Sequence, residues 1–182
     1  MRIVAGRHKG RMLTAPAGRL SRPTAARTRE ALFNILAHRG ALEGASVLDV
    51  FAGTGALGFE ALSQGAARAC FLDNASAALA TIAANARILG ESDRVTIRKA
   101  DATRPGPAPA AFDLVFLDPP YGSGLTAPAL TALRDRGWLA DGALAVAEVA
   151  ARETFQPPDG FEIADERTYG AARLLLLTRE GR

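Results

Sequence analysis

The chain has a single cysteine, Cys70, and two histidines, His8 and His38, among 182 residues. One thiol excludes an internal disulfide framework, and one Cys with two His is too small a set for a zinc site of that kind. No metal is expected, and a reducing cytoplasm is the simplest location. No apolar run approaches the roughly 18 residues that a membrane span needs, and the N-terminus lacks the apolar core of a signal peptide. No membrane partner is therefore expected. Lysine is nearly absent, with only Lys9 and Lys99, and no internal repeat is visible. The remaining composition, 48% hydrophobic and 23% charged, is that of a globular domain long enough to bury a core.

The modest net charge of +3 hides an asymmetry. Residues 1–39 carry nine Arg and Lys against one acid, Glu30, a balance of +8; the other thirteen bases face eighteen acids, a balance of −5. A basic N-terminal arm (1–22) on an acidic body (23–182) suggests a polyanionic partner. A solvated charge run is the plain alternative.

Short apolar runs and helical periodicities alternate along the chain. Arg2–Val4 reads as a short strand. Pro23 and Thr24 open a helix to about His38. Leu32, Phe33 and Leu36 share one face of it, Thr24, Arg27, Glu30 and Asn34 the other. Arg29 falls among the apolar residues, where a charge is either paired or looks into a ligand cleft; pairing is favoured. Strands are predicted over 46–51, 69–72, 95–98, 112–117, 143–149, 161–164 and 173–178, with helices over 56–63, 75–89 and 127–136. This alternation predicts an α/β fold, a parallel sheet with helices on both faces, closed by a hairpin turning near Tyr169-Gly170.

Asp49-Val50-Phe51-Ala52-Gly53-Thr54-Gly55-Ala56-Leu57-Gly58 leaves a strand and enters a helix. Its glycines satisfy G-x-G-x-x-G, and Asp73 lies 20 positions beyond Gly53, at the tip of the next strand. That is the spacing of an acid that accepts from a ribose hydroxyl. A nicotinamide dinucleotide and S-adenosylmethionine (SAM) both meet this pattern. Asp49 favours SAM, because a carboxylate suits a cationic amino group and repels a pyrophosphate. So does the lack of any His or Lys at a strand end that could serve hydride transfer. Asp101-Ala102, after the third strand, is expected to face the same crevice, where a carboxylate can accept from an adenine amine; a solvated loop Asp is the plain alternative.

The fourth strand ends in Asp118-Pro119-Pro120-Tyr121-Gly122. Two prolines stiffen the backbone and remove two N–H donors, so the strand tip presents acceptors: the Asp118 carboxylate and the Pro119 carbonyl. Tyr121 adds an aromatic plate, able to stack on a base for about 1–3 kcal/mol. An exocyclic amine is a weak nucleophile because its lone pair is delocalised. Two acceptors on its two N–H bonds favour a pyramidal nitrogen and free that lone pair for a methyl group.

The segments L-D-V-F-A-G-T-G, F-L-D-N and L-D-P-P-Y-G, in that order, resemble the Rossmann-like class I SAM-dependent amino-methyltransferases. R-I-V-A-G-R-H-K-G-R, R-P-T-A-A-R-T-R-E-A-L-F-N-I-L, A-A-N-A-R-I-L-G and R-T-Y-G-A-A-R-L-L-L-L make the chain similar to the bacterial 16S rRNA guanine-N2 methyltransferases. The resemblance implies a seven-stranded, mostly parallel sheet with an antiparallel last strand. It places Asp49, Gly53, Gly55, Asp73 and Asp101 at the SAM pocket, with their neighbours Phe51, Ala52, Asn74 and Ala102. It implies that Asp118 and Tyr121, with Pro119 and Pro120, hold the guanine, and that Thr24 and Arg27 reach toward the cofactor or target. Arg2, Arg7, Lys9, Arg11, Arg22 and Arg29 would meet the phosphates of 16S rRNA or of a small-subunit assembly intermediate. SAM would leave as S-adenosylhomocysteine, and a monomer is expected. Asn74 departs from the family's usual pattern and is a candidate cap for the helix that follows. An adenine-N6 or cytosine-N4 methyltransferase acting on DNA or other RNA remains the alternative, and an NAD(P)-dependent oxidoreductase a more distant one.

Overall fold

A computed structural model describes residues 1–15 and 23–179, the side chains of residues 23–25 excepted. Helix α1 (Pro23–His38) precedes β1 (Ser46–Val50), α2 (Ala56–Ser63), β2 (Arg68–Asp73), α3 (Ser76–Leu89) and β3 (Val95–Lys99). Then come β4 (Phe112–Leu117), α4 (Thr126–Asp135), β5 (Leu139–Ala150), β6 (Phe161–Tyr169) and β7 (Ala172–Arg179). The seven strands form one sheet in the order β3-β2-β1-β4-β5-β7-β6. The first five pair in parallel, and β7 runs antiparallel to both β5 and β6. The order reverses between β1 and β4, which opens a crevice at the carboxyl ends of the strands.

Polarity decides where the terminal hairpin lies. Leu174–Leu177 are all buried, and a strand that is apolar on both faces belongs inside a sheet. Strand β7 therefore sits between β5 and β6. The outer β6 carries Glu162, Asp165, Glu166 and Arg167, and a charged edge strand discourages pairing with another chain. The sheet separates two cores. On one face α1, α2 and α3 pack Leu32, Phe33, Leu36, Phe59 and Ile82 against Val47, Phe71 and Phe116. On the other, α4 and the 100–111 connection cover Leu48, Leu72, Val115 and Leu175. Trp138 pins that connection: its ring stacks on Phe112 with centroids 6.0 Å apart, and its indole N–H donates to the Gly106 carbonyl at 3.0 Å.

Three expectations are corrected. Arg2–Val4 is no strand in the sheet; its β pairing is one bridge, Arg2 to Met12. Strand β1 stops at Val50, because Phe51 adopts a left-handed backbone with φ of 59°. Strands β5 and β6 extend well beyond 143–149 and 161–164. Pairing with the apolar β7 draws polar residues such as Glu166 and Thr168 into the ladder, overriding their weak local preference.

Residues 1–15 are docked onto the body. Ile3 and Leu13 enter the core beneath a loop closed by Ile3 N–H to Arg11 O and Gly10 N–H to Ile3 O. The fully buried carboxylate of Glu60 accepts from the backbone N–H of Val4 at 2.9 Å and of Ala5 at 3.0 Å. Gly6 lies so close to α2 that a Cβ there would stand 1.9 Å from the Ser63 carbonyl oxygen. Buried Asn85 accepts from Thr14 N–H at 2.8 Å and donates to the carbonyls of Thr14 and Thr54. It thereby ties the end of this segment to the glycine loop.

Candidate active site

The carboxyl ends of β1, β2, β3 and β4 bring four acids to one crevice: Asp49, Asp73, Asp101 and Asp118. Asp49 is sealed at 2% exposure, and its Oδ2 accepts from the Gly58 N–H at 2.9 Å. Burial pushes its carboxyl well above the usual range. The Gly58 hydrogen bond opposes this, and the nearby Asp118 and Asp73 carboxylates reinforce it. Asp73 Oδ2 accepts from the Gly53 N–H at 2.9 Å, and its Oδ1 from the Ala75 N–H at 2.8 Å. One side chain thus joins the glycine loop to the start of α3. Asp73, through an i to i+2 turn, serves the helix start where Asn74 was expected to cap; Asn74 lines the cavity instead. Asp101 Oδ1 accepts from the backbone N–H and the hydroxyl of Thr103, each at 2.8 Å, and these bonds hold its carboxyl below the usual range.

The glycines of the loop divide between two tasks. Gly53 and Gly55 adopt positive φ, 57° and 77°, which lets the chain double back, with Gly55 N–H on the Ala52 carbonyl at 2.7 Å. Gly58 permits close packing: a Cβ there would stand 2.4 Å from the Phe71 ring. Phe51 keeps the left-handed backbone without being glycine, a strain typical of functional loops. Its side chain walls a cavity of about 150 Å³, together with Leu72, Asp73, Asp101, Ala102 and Leu125. The lining mixes apolar side chains with Asp73, Asn74, Asp101 and Thr103, which suits a flat ring with donor groups at its rim. Asp49, Gly53 and Gly55 are not among the lining residues.

Beyond β4, Pro119 is buried, while Asp118, Pro120 and Tyr121 face solvent, Tyr121 at 51% exposure. The chain returns from Tyr121 to Leu125 and so borders the cavity. The Tyr121 phenol donates to Oε1 of Glu148 on β5, a residue that sequence reasoning passed over. Glu60 and Asn85 were passed over as well. The one visible signal for Glu60 was a charge inside the apolar run Gly-Phe-Glu-Ala-Leu.

Among the basic residues, Arg2, Arg7, Lys9 and Arg11 are exposed. Arg7 lies 3.9 Å from buried Glu91, and Arg11 donates to the Ile88 carbonyl. Arg29 is corrected as an RNA contact. It is buried at 8% exposure, donates to the Arg2 carbonyl at 2.9 Å and places Nε 3.8 Å from Glu60. It is the paired charge that its helical position required. Arg27 is exposed on the outer face of α1 with Glu30 and Asn34. Arg22 and the Thr24 side chain lie outside the described residues. Among the described residues no group of three His, Cys, Asp or Glu could hold a metal, and no helix is long and apolar enough to cross a membrane.

The family described as Conserved hypothetical protein 95 matches residues 1–178. The chain belongs to this family. It is 36% identical to "Ribosomal RNA small subunit methyltransferase D" of Escherichia coli (strain K12) over 189 residues, covering 99% of this chain and 90% of that protein. The protein of the same name from Haemophilus influenzae is 32% identical, with 93% and 89% covered. The solved structure of yhhF from Escherichia coli superposes with a TM-score of 0.85 at 34% identity, covering 100% of this chain and 99% of that one. The protein is a methyltransferase with the Rossmann-like class I fold, and the resemblance drawn from the sequence holds.

Proposed function

We propose that this methyltransferase moves a methyl group from SAM to the exocyclic N2 amine of a guanine in small-subunit rRNA. The observation that carries the reading is the juxtaposition of two acceptor sets on one crevice. Asp73 and Asp101 border the cavity between β2, β3 and the glycine loop, while Asp118 and Pro119 follow β4, the strand next to β1, with Asp118 near enough to Asp49 to act on its charge. The small-subunit substrate follows the relatives named above.

SAM fits the residues present. Asp73 would receive the ribose hydroxyls, Asp101 the adenine amine, and Phe51, Leu72, Ala102 and Leu125 the faces of the ring. Asp49, sealed at the loop, suits the cationic amino group. When bound, SAM supplies a methyl group activated on a sulfonium. Four carboxylates around this crevice disfavour a pyrophosphate and hence a nicotinamide dinucleotide.

The rest falls to the chain. Asp118 receives one N–H of the target amine and the Pro119 carbonyl the other, which localises the nitrogen lone pair and aims it at the methyl carbon. Tyr121 stacks on the extruded base. Bound SAM would supply the methyl carbon and keep the C–S electron pair on sulfur, and exposed Asp118 would take the surplus amine proton toward solvent. The exposed Arg2, Arg7, Lys9 and Arg11 supply positive charge for phosphates.

The test offers methyl-labelled SAM with DNA, free small-subunit rRNA, and small subunits lacking the modification. Nucleosides are then released and separated. Label in N2-methylguanosine from rRNA is the expected result. Label in N6-methyladenine or N4-methylcytosine would overturn the substrate assignment.

A further inference from the structure

Holding an exocyclic amine is not enough to select guanine. The Asp118 and Pro119 acceptors would receive the amine of adenine or cytosine equally well. The bases differ in what flanks the amine. Beside N2, guanine carries a donor, N1–H; adenine and cytosine carry a ring-nitrogen acceptor beside N6 and N4. A site for guanine therefore needs a further acceptor next to the amine pocket.

Strand β5 provides one. Leu117 of β4 pairs with Ala147 of β5, so Glu148 follows Ala147 as Asp118 follows Leu117. Asp49 pairs with Phe116, and Phe116 with Val146, so the alternation of side chains puts Glu148 on the same face of the sheet as Asp49. Glu148 is half-buried, and its Oε1 receives the Tyr121 phenol. Its carboxylate thus stands at the tip of the aromatic plate and next to the amine-holding turn.

We infer that Glu148 is the specificity-determining residue of this site: it orients Tyr121 through the phenol and accepts the N1–H of guanine beside the reacting N2. The inference rests on the guanine-N2 reading above. An acceptor on the base at that position would meet the negative carboxylate and be rejected. A glutamine in its place can turn an N–H toward such an acceptor.

The test compares guanosine with 2-aminopurine riboside at the nucleotide mapped by the labelling experiment, in a short RNA spanning it. The analogue keeps the 2-amino group and N3 but has an acceptor at N1. Wild type is expected to prefer guanosine in kcat/KM, and E148Q to shrink that preference by about 10- to 100-fold. Y121F, which removes the phenol and keeps the ring, is expected to lower kcat/KM for both bases while preserving the preference. E148D, which keeps the carboxylate, retains a measurable preference. An unchanged SAM affinity of E148Q shows that the fold is intact. Equal losses on both bases for E148Q, or an unaltered preference, would overturn the assignment. Wild-type label on adenine or cytosine would instead sink the guanine reading, and this assignment with it.

Discussion

Of the four strand-tip carboxylates, Asp49 alone is sealed from water. Without a cationic partner, burial raises its carboxyl above the ordinary value of 3.8, so the folded chain binds the proton more tightly than the unfolded chain. Such a group contributes stability below pH 3.8 that is lost as the pH rises through the raised folded value. Asp49→Asn removes this loss and keeps an acceptor for Gly58 N–H. The melting temperature of the ligand-free variant should therefore exceed that of wild type by a margin that widens with pH above about 4. SAM should bind the variant about 10- to 100-fold more weakly at pH 8, as expected when a buried charge partner is removed. A margin that stays constant from pH 4 to 8 would contradict the account. Among single residues, Asp73 and Asp118 stood out because each ends an apolar run, and Asp49 because it interrupts one just before the glycine loop. Glu60, Asn85 and Glu148 did not, because their partners come from segments 27 to 71 positions away.

At the scale of elements, the N-terminal segment shows what a charge count misses. The charge count suggested a basic arm for a polyanionic partner and was silent on packing; the described residues 1–15 form a docked loop whose apolar residues Ile3 and Leu13 belong to the core. Docking turns a charge run into a fixed surface. Gly6→Ala tests this: its Cβ meets the Ser63 carbonyl at 1.9 Å, and φ of 78° disfavours any side chain. The variant should lose about 2–4 kcal/mol in chemical denaturation and bind RNA less tightly. An unaffected midpoint would mean that the loop is not held as described. Replacing Arg7, Lys9 and Arg11 together by Ala should leave SAM binding unchanged. It should also flatten the plot of log K against log salt for RNA by about two units. An unchanged slope would assign the phosphate contacts elsewhere. The periodicities gave the helices to within a residue or so. Strand β6 was half missed, since its charged residues are held in the ladder by β7 and not by their own preference.

For the whole molecule, the crevice exists because the strand order reverses between β1 and β4. Asp49, Asp73 and Asp101 come from one side of that reversal, and Asp118 and Glu148 from the other. Ligand binding should therefore stabilise both halves together. SAM at about 100 times its dissociation constant should add roughly 2.7 kcal/mol and raise the melting temperature by about 5–10 °C, whereas NAD(P) should not. The reverse outcome would return the oxidoreductase reading. The glycine fingerprint, the acid 20 residues on, the Asp-Pro-Pro-Tyr turn and the alternating pattern are local facts of chain order. They sufficed for the fold class and pointed to Phe51, Asp73, Asn74, Asp101 and Ala102, which line the cavity, because backbone freedom, stiffness and apolar period act over a few positions. Packing alone decided that Arg29 is buried against Glu60, that Asp73 ties the loop to α3, and that β7 lies inside β6. It also decided that Glu148 meets Tyr121. Each of these depends on burial and on partners distant in sequence, and such contacts take shape only once the sheet has closed its two cores.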